Sequence, residues 1–264
     1  MIGIKNESQI EKMRDAGVLL HSVNEHLRTM IRPGVTTREL NAEADRLIRD
    51  GGGIPSFFGV PASYPGYPPF PAAICASPDE QVVHGLPSDV PLQEGQILSI
   101  DCGVILNGWQ SDSAFTAPVG NVSKEFADLI RVTEECFWLG AWAAREGNRV
   151  GDISHAVQVH AEAHGYGVIR DLCSHGIGTG LHEDPSIPNF GPAGRGVRLR
   201  AGMTICIEPM IALGGWPVYQ MKDGWTVKTK DHSACSHYEH TILITRGEPE
   251  ILSLPGAKLG EEGR

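Results

Sequence analysis

The sequence has no C-x-x-C pair. Its six cysteines (Cys75, Cys102, Cys136, Cys173, Cys206 and Cys235) stand singly, most of them in apolar segments. This usage fits reduced structural thiols in a cytosolic protein. No apolar run approaches the ~20 residues needed to cross a membrane. Met1 to Arg14 is charged and lacks an apolar h-region, so no secretory signal is expected. Positive charge is also short, and the formal net charge is −10. A nucleic-acid binder needs a basic face to meet phosphate, which counts against that class. A cationic ligand suits an acidic chain better. There is no G-x-S-x-G elbow, which counts against a serine hydrolase. The string Gly176-Ile177-Gly178-Thr179-Gly180 lacks the third glycine of a dinucleotide fingerprint, and no Lys-Ser/Thr follows. Those glycines more naturally let the backbone pass close to a site.

What is present is ample for a sizeable core: 264 residues, 41% of them hydrophobic. Ser8-Gln9-Ile10-Glu11 reads as a capping box, followed by apolar residues at helical spacing up to Pro33-Gly34. Thr36-Thr37-Arg38-Glu39 reads as a second box, opening a helix that stops at Gly51-Gly52-Gly53. A loop rich in Pro, Gly and aromatics follows, then strand-like segments from Ala72 to Thr116. The pattern restarts near Ser123 with a helix to Gly147 and another from about Asp152 to Gly165. Strand-like segments then run from Val168 to Thr245.

The two passes carry matching pieces. Gly95-Gln96-Ile97-Leu98-Ser99-Ile100-Asp101 parallels Gly202-Met203-Thr204-Ile205-Cys206-Ile207-Glu208. The turns Arg32 to Leu40 and Arg145 to Ile153 also correspond, as do His84-Gly85-Leu86 and His175-Gly176-Ile177. Three pairs in the same order point to internal duplication. The expected architecture is α+β: strands covered by two pairs of helices about a pseudo-two-fold axis. The halves are about 1–120 and 121–254 of a single catalytic domain, with a polar tail at 255–264.

Each matched strand ends in an acid, which is costly in an apolar setting unless a cation meets it. Asp112 lies just past the hairpin signal Asn107-Gly108, so it can face Asp101 on a paired strand. In the second half, Glu208 is followed by Glu239 at the start of another strand-like run. If the halves superpose, four carboxylates meet. Two like charges ~4 Å apart repel by about 4 kcal/mol at an effective dielectric of ~20. Such a group of acids takes up protons or binds metal. Hard oxygen donors with imidazole suit divalent Mn, Fe, Co or Zn, and bridging carboxylates suit a two-metal hydrolytic site.

Four segments then carry a family resemblance: His175-Gly176-Ile177-Gly178, Thr204 to Met210, Lys222 to Val227, and Tyr238-Glu239-His240-Thr241. Together with the spacing of Asp101, Asp112, His175, Glu208 and Glu239, they resemble the type I methionine aminopeptidases from about Ile4 to Leu254. The resemblance implies the pita-bread fold and removal of the initiator methionine from nascent chains with a small second residue. It implies two divalent ions, with Asp101 chelating one and Asp112 and Glu239 bridging both. His175 and Glu208 complete the second ion's shell, and Glu208 also serves as general base. His182 is implied to bind the carbonyl oxygen and His84 the scissile amide nitrogen, both touching substrate. Tyr67, Phe70, Cys75 and Trp225 are the candidates for the methionine pocket. The resemblance suggests that the substrate emerges at the ribosome; a cytoplasmic location follows the cysteine usage, and a monomer is the default expectation.

The chain departs from the family pattern at Gln110-Ser111 (for His-Gly), Ser174 (for Gly), Leu181 (for an aromatic) and Val83 (for Cys), none of them a ligand position. These departures bear on specificity. The alternatives are another pita-bread metallopeptidase of X-Pro type and a non-catalytic binding relative. A short interval from His175 to Glu208 sets the chain apart from the type II enzymes, and the expected lack of a large extra N-terminal domain sets it apart from prolidases.

Overall fold

The computed structural model describes residues 2–62 and 65–259; of the polar tail, 260–264 lie outside the described residues. Helix α1 spans Glu7–Met30 and is capped by Asn6. The Gln9 N–H donates to the Asn6 side chain at 3.0 Å, and the Asn6 N–H donates to the Gln9 side chain at 2.9 Å. The capping box therefore lies two residues before the expected one. Asparagine caps as well as serine, and the earlier start leaves Ser8 inside the first turn. Helix α2, Thr37–Asp50, opens on the expected box, with Thr36 and Glu39 satisfying each other's N–H groups at 2.8 and 3.1 Å.

Five strands follow: β1 (Ile54–Pro55), β2 (Ile74–Pro78), β3 (Gln81–Val83), β4 (Ile97–Leu106) and β5 (Trp109–Pro118). Asn107 and Gly108 join β4 to β5 with φ of 52° and 80°. Both residues tolerate that left-handed backbone, so the two-residue hairpin forms where the sequence signals it. Helices α3 (Lys124–Ala143) and α4 (Val150–Ala163) come next. The second pass of strands is β6 (Gly167–Val168), β7 (Cys173–Gly176), β8 (Glu183–Pro188), β9 (Thr204–Ile207) and β10 (Met210–Ala212). It ends with β11 (Val218–Gln220), β12 (Val227–Thr229), β13 (Cys235–His237), β14 (Glu239–Leu243) and β15 (Glu250–Ile251).

Nine strands form one sheet in the order β1-β4-β5-β14-β9-β7-β8, with β2 also on β4 and β15 also on β14. Its ladders are antiparallel, and strands from both passes lie side by side at its centre. Two three-stranded sheets, β13-β10-β6 and β11-β12-β3, account for the other strands among the described residues. The period of two along each strand then divides the large sheet into two faces. Ile100, Cys102, Phe115, Ile205, Ile207 and Ile242 belong to one apolar cluster with α1 residues Leu20, Val23 and Leu27 and α3 residues Phe137 and Ala141. Their alternates, Asp101, Asp112, Cys206 and Glu239, fall on the opposite face by register. The helix residues named thus pack on one side of the sheet, and the acids lie on the other.

Close packing of α1 depends on Gly17. A Cβ there would lie 2.0 Å from the Leu252 carbonyl oxygen, so no side chain fits. The absence of one lets the chain after β15 lie directly against the helix.

Candidate active site

Asp101 pairs with Ala114, and Asp112 pairs with Gly103, so the two aspartates are diagonal neighbours on one face of the β4–β5 hairpin. Glu239 opens β14 opposite the same Ala114, which brings it beside both. Glu208 follows directly on β9, and His175 lies in β7, next to β9 through the Gly176–Ile205 pair. All five predicted ligands line one cavity of about 370 Å³. Donor atoms of Asp112, His175, Cys206 and Glu239 lie within 4.8 Å of one another, as do those of Glu208, His237 and Glu239.

Backbone and side-chain bonds fix these groups. The Thr241 hydroxyl accepts from the Asp112 N–H at 3.0 Å and donates to the Asp112 carbonyl at 2.9 Å. His175 Nδ1 lies 2.9 Å from its neighbour's carbonyl, at Gly176, and donates there. That bond assigns the tautomer and leaves the Nε2 lone pair free, 3.5 Å from Glu208 Oε1. The loop after β7 is anchored by Glu183, which accepts from Lys5 Nζ at 2.9 Å and from the Gly180 N–H at 3.0 Å.

Among the described residues, no lysine or arginine lines the cavity. Burial, with no cationic side chain to offset it, pushes the Asp112 carboxyl up to about 7. Burial also raises Asp101, whose carboxyl feels Asp112 and Glu239 as well. Glu208 and Glu239 move the same way for the same reasons: burial first, then neighbouring carboxylates. The histidines go down. Burial takes His84 and His175 to about 4, with His182 adding to both, and it lowers His182 itself. The imidazoles are therefore neutral at pH 7 and able to act as ligands or N–H donors.

The cluster fits a divalent cation on its own chemistry. Asp101 Oδ1 and Glu239 Oε1 are buried and have no hydrogen-bond partner among the described residues. Oxygen donors left unsatisfied at this depth are costly unless something positive meets them. A set of four carboxylates with imidazole answers that need with a hard or borderline metal ion.

The apolar wall of the cavity is formed partly as expected. Phe70 and Trp225 meet edge to face with ring centroids 5.0 Å apart, and Cys75 is buried beside them. The Trp225 indole N–H donates to the Pro68 carbonyl at 3.1 Å, which pins the ring. Tyr67 does not belong to this wall. Its side chain is 41% exposed and packs over Gly224, outside the residues that line the cavity. The glycine at 224, with φ of 82°, leaves space for the Tyr67 ring on the outer side of the loop that carries Trp225.

His84 and His182 both reach the cavity. His84 holds a φ of 58°, a backbone conformation that costs a residue with a side chain on the order of 1 kcal/mol or more. His182 stands edge on to His175, with ring centroids 4.4 Å apart. Sequence reasoning missed several participants, among them Phe57, Leu181 and Cys173 on the wall, and His237. Cys173 is exposed, unlike the other five free thiols. Leu181 stands out in the sequence only as a departure from an aromatic, and Phe57 lies in a loop without periodic signal. His237 sits 3.7 Å from Glu208 and 3.8 Å from Glu239, and burial takes its imidazole down to about 3. Its proximity to Glu239 along the chain was its one visible signal.

A helix-covered antiparallel sheet that gathers buried carboxylates and imidazole beside an apolar cavity defines a metal-dependent hydrolase. The chain belongs to metallopeptidase family M24, which matches residues 11–246. It is similar to the methionine aminopeptidase of Clostridium perfringens, 47% identical over 96% of this chain and 99% of the relative. It is similar also to methionine aminopeptidase 1 of Bacillus subtilis, at 43% identity over 96% and 99%. The crystal structure of methionine aminopeptidase from Rickettsia prowazekii superposes with a TM-score of 0.92, at 40% identity, covering 96% of this chain and all (100%) of that one. The fold is accordingly the pita-bread fold of that family.

Proposed function

We propose that this protein removes the N-terminal methionine from peptides and nascent chains, preferring a small second residue. One observation carries the reading: the buried acids and His175 line the same cavity as Phe70, Cys75 and Trp225, with Cys75 directly across from Asp101 in the β2–β4 ladder. Methionine aminopeptidases as relatives over nearly the whole chain support the same substrate.

In this reading Asp101, Asp112, His175, Glu208 and Glu239 hold two divalent ions of the Mn, Fe, Co or Zn type. When bound, the ions neutralise the acids, generate a nucleophile from water at neutral pH and polarise the scissile carbonyl. The chain's own groups do the rest. A Glu208 carboxylate oxygen takes the proton from the attacking water and passes it on. The His182 N–H hydrogen-bonds the carbonyl oxygen as it gains charge, and a neutral donor aimed there needs no reorganisation. His84 contacts the departing amide nitrogen. The free α-amine of the substrate lies against the acids, which restricts cleavage to the first residue. The methionine side chain fills the aromatic wall, where a polarisable thioether makes favourable contacts with ring edges. Cys75 lines that wall as a thiol that burial keeps protonated, so it is not a nucleophile.

The two helix–helix–strand passes, about 1–120 and 121–254, act as halves of one catalytic unit with the site between them. The substrate reaches the enzyme in the cytoplasm as it leaves the ribosome, and the enzyme works as a monomer. The test is a peptide panel of Met-Ala-Ser, Met-Gly, Ala-Pro and Leu substrates. Cleavage of the Met peptides alone supports the reading, and strong Ala-Pro cleavage without Met cleavage overturns it in favour of an X-Pro peptidase.

A further inference from the structure

Glu208 lies where the chain leaves the sheet. Strand β9 ends at Ile207, its last ladder partners being His240 on β14 and, for Ile205, Gly176 on β7. Pro209 follows and has no N–H to contribute. The Glu208 backbone therefore has no strand to pair with, and two side chains take its polar groups instead. Its N–H donates to Ser174 Oγ at 2.9 Å. Its carbonyl accepts from Asn189 Nδ2 at 2.9 Å. Ser174 Oγ, having accepted that N–H, sends its own hydrogen to Asn189 Oδ1 at 3.2 Å. That last bond orients the amide so that its NH₂ faces the carbonyl, and the three bonds close a ring.

Both side chains of the ring are buried: Ser174 fully, and Asn189 to 1% exposure. Ser174 belongs to β7 and Asn189 directly follows β8, so one hairpin supplies both. The register of that hairpin shifts between Ser174 and Gly176, which bulges the strand at His175. One hairpin thus presents His175 through its bulge and grips Glu208 through its side chains. Ser174 stands at one of the positions where the chain departs from the family pattern it resembles.

We infer that Ser174 and Asn189 form a positioning clamp that sets the Glu208 carboxylate against His175 at the metal centre. The inference rests on the role given to Glu208 under the proposed function. Neither residue touches the reacting atoms; both act through Glu208.

The test uses the full chain with Ser174→Ala, Ser174→Gly, Asn189→Ala, the Ser174→Ala/Asn189→Ala double variant and Ser174→Thr. Mn²⁺ affinity is measured by calorimetry, and kcat and KM with Met-Ala-Ser. Supporting partners of metal ligands are typically worth 10- to 100-fold, so each single truncation is expected to weaken Mn²⁺ binding and lower kcat by about tenfold or more. KM should stay within about twofold, and the double variant should be no worse than the worse single one, because the ring acts as a unit. Ser174→Thr keeps the hydroxyl and should restore kcat. Ser174→Gly carries the test if Ser174→Ala does not fold. Mn²⁺ affinity and kcat within twofold of the parent, losses confined to KM or Tm, or losses that add in the double variant overturn the clamp. A parent protein that binds Mn²⁺ but leaves Met-Ala-Ser intact overturns the proposed activity instead, and the Mn²⁺ titrations still decide the clamp.

Discussion

The Nε2 atom of His237 stands 3.7 Å from Glu208 Oε2, and neither ring nitrogen of His237 has a hydrogen-bond partner among the described residues. A neutral imidazole this deep carries one N–H that needs an acceptor. Glu208 and Glu239, in the ionised form that holds metal, are the carboxylates at hand. His237→Leu is therefore expected to weaken divalent-ion binding by about tenfold or more, the usual cost of losing a group that orients a ligand. His237→Gln, which keeps a donor, should stay within a few-fold. Calorimetric titration with Mn²⁺ checks both. A leucine variant that binds as tightly as the parent would reduce His237 to packing.

Glu208→Gln separates chemistry from shape, since the amide fills the same space and cannot take a proton. Turnover of Met-Ala-Ser should fall by ~10²-fold or more, the scale of general acid–base catalysis. Circular dichroism should show an unchanged fold. Near-normal turnover would refute the role of Glu208.

Phe70 meets Trp225 edge to face and is 2% exposed. Phe70→Ala should open the wall without touching the acids. Burying an apolar side chain of this size is worth ~1.5–3 kcal/mol, which corresponds to about 10- to 100-fold. The loss is expected in kcat/KM for Met peptides, with selectivity over Leu peptides reduced and Mn²⁺ affinity unchanged. Equal loss for every substrate would contradict a methionine-specific wall.

The raised carboxyls predict proton release. Burial holds Asp112 near 7, and Asp101, Glu208 and Glu239 are raised as well. The metal binds the ionised forms, so below about pH 7 each ion must displace protons, and affinity falls as pH falls. The expected slope is about tenfold per pH unit for each proton displaced. Calorimetry at pH 6 in buffers of different ionisation enthalpy counts the protons; none released would contradict the shifted acids.

Local chemistry made much of the fold legible. The Thr36–Glu39 box and the Asn107-Gly108 hairpin depend on residues within three positions of one another, and both formed as read. The first helix showed the limit: two overlapping box patterns, Asn6 to Gln9 and Ser8 to Glu11, stand side by side, and the helix opens on the earlier one. The acids were legible because an acid closing an apolar strand is anomalous by itself. Tyr67 is harder to place from sequence because its loop carries no periodic signal, and its ring packs over Gly224, far along the chain. The Ser174–Asn189 pair was hidden for a similar reason: neither residue is unusual until β7 and β8 bring them onto the Glu208 backbone.

The central claim is that this site cleaves N-terminal methionine with the help of metal held by its five ligands. The direct measurement is hydrolysis of Met-Ala-Ser by protein stripped with a chelator, then supplied separately with Mn²⁺, Fe²⁺, Co²⁺ or Zn²⁺. Activity should vanish on stripping and return with at least one of these ions, releasing free methionine and Ala-Ser. Undiminished cleavage by the stripped protein, or no methionine released with any of the ions, would contradict the account.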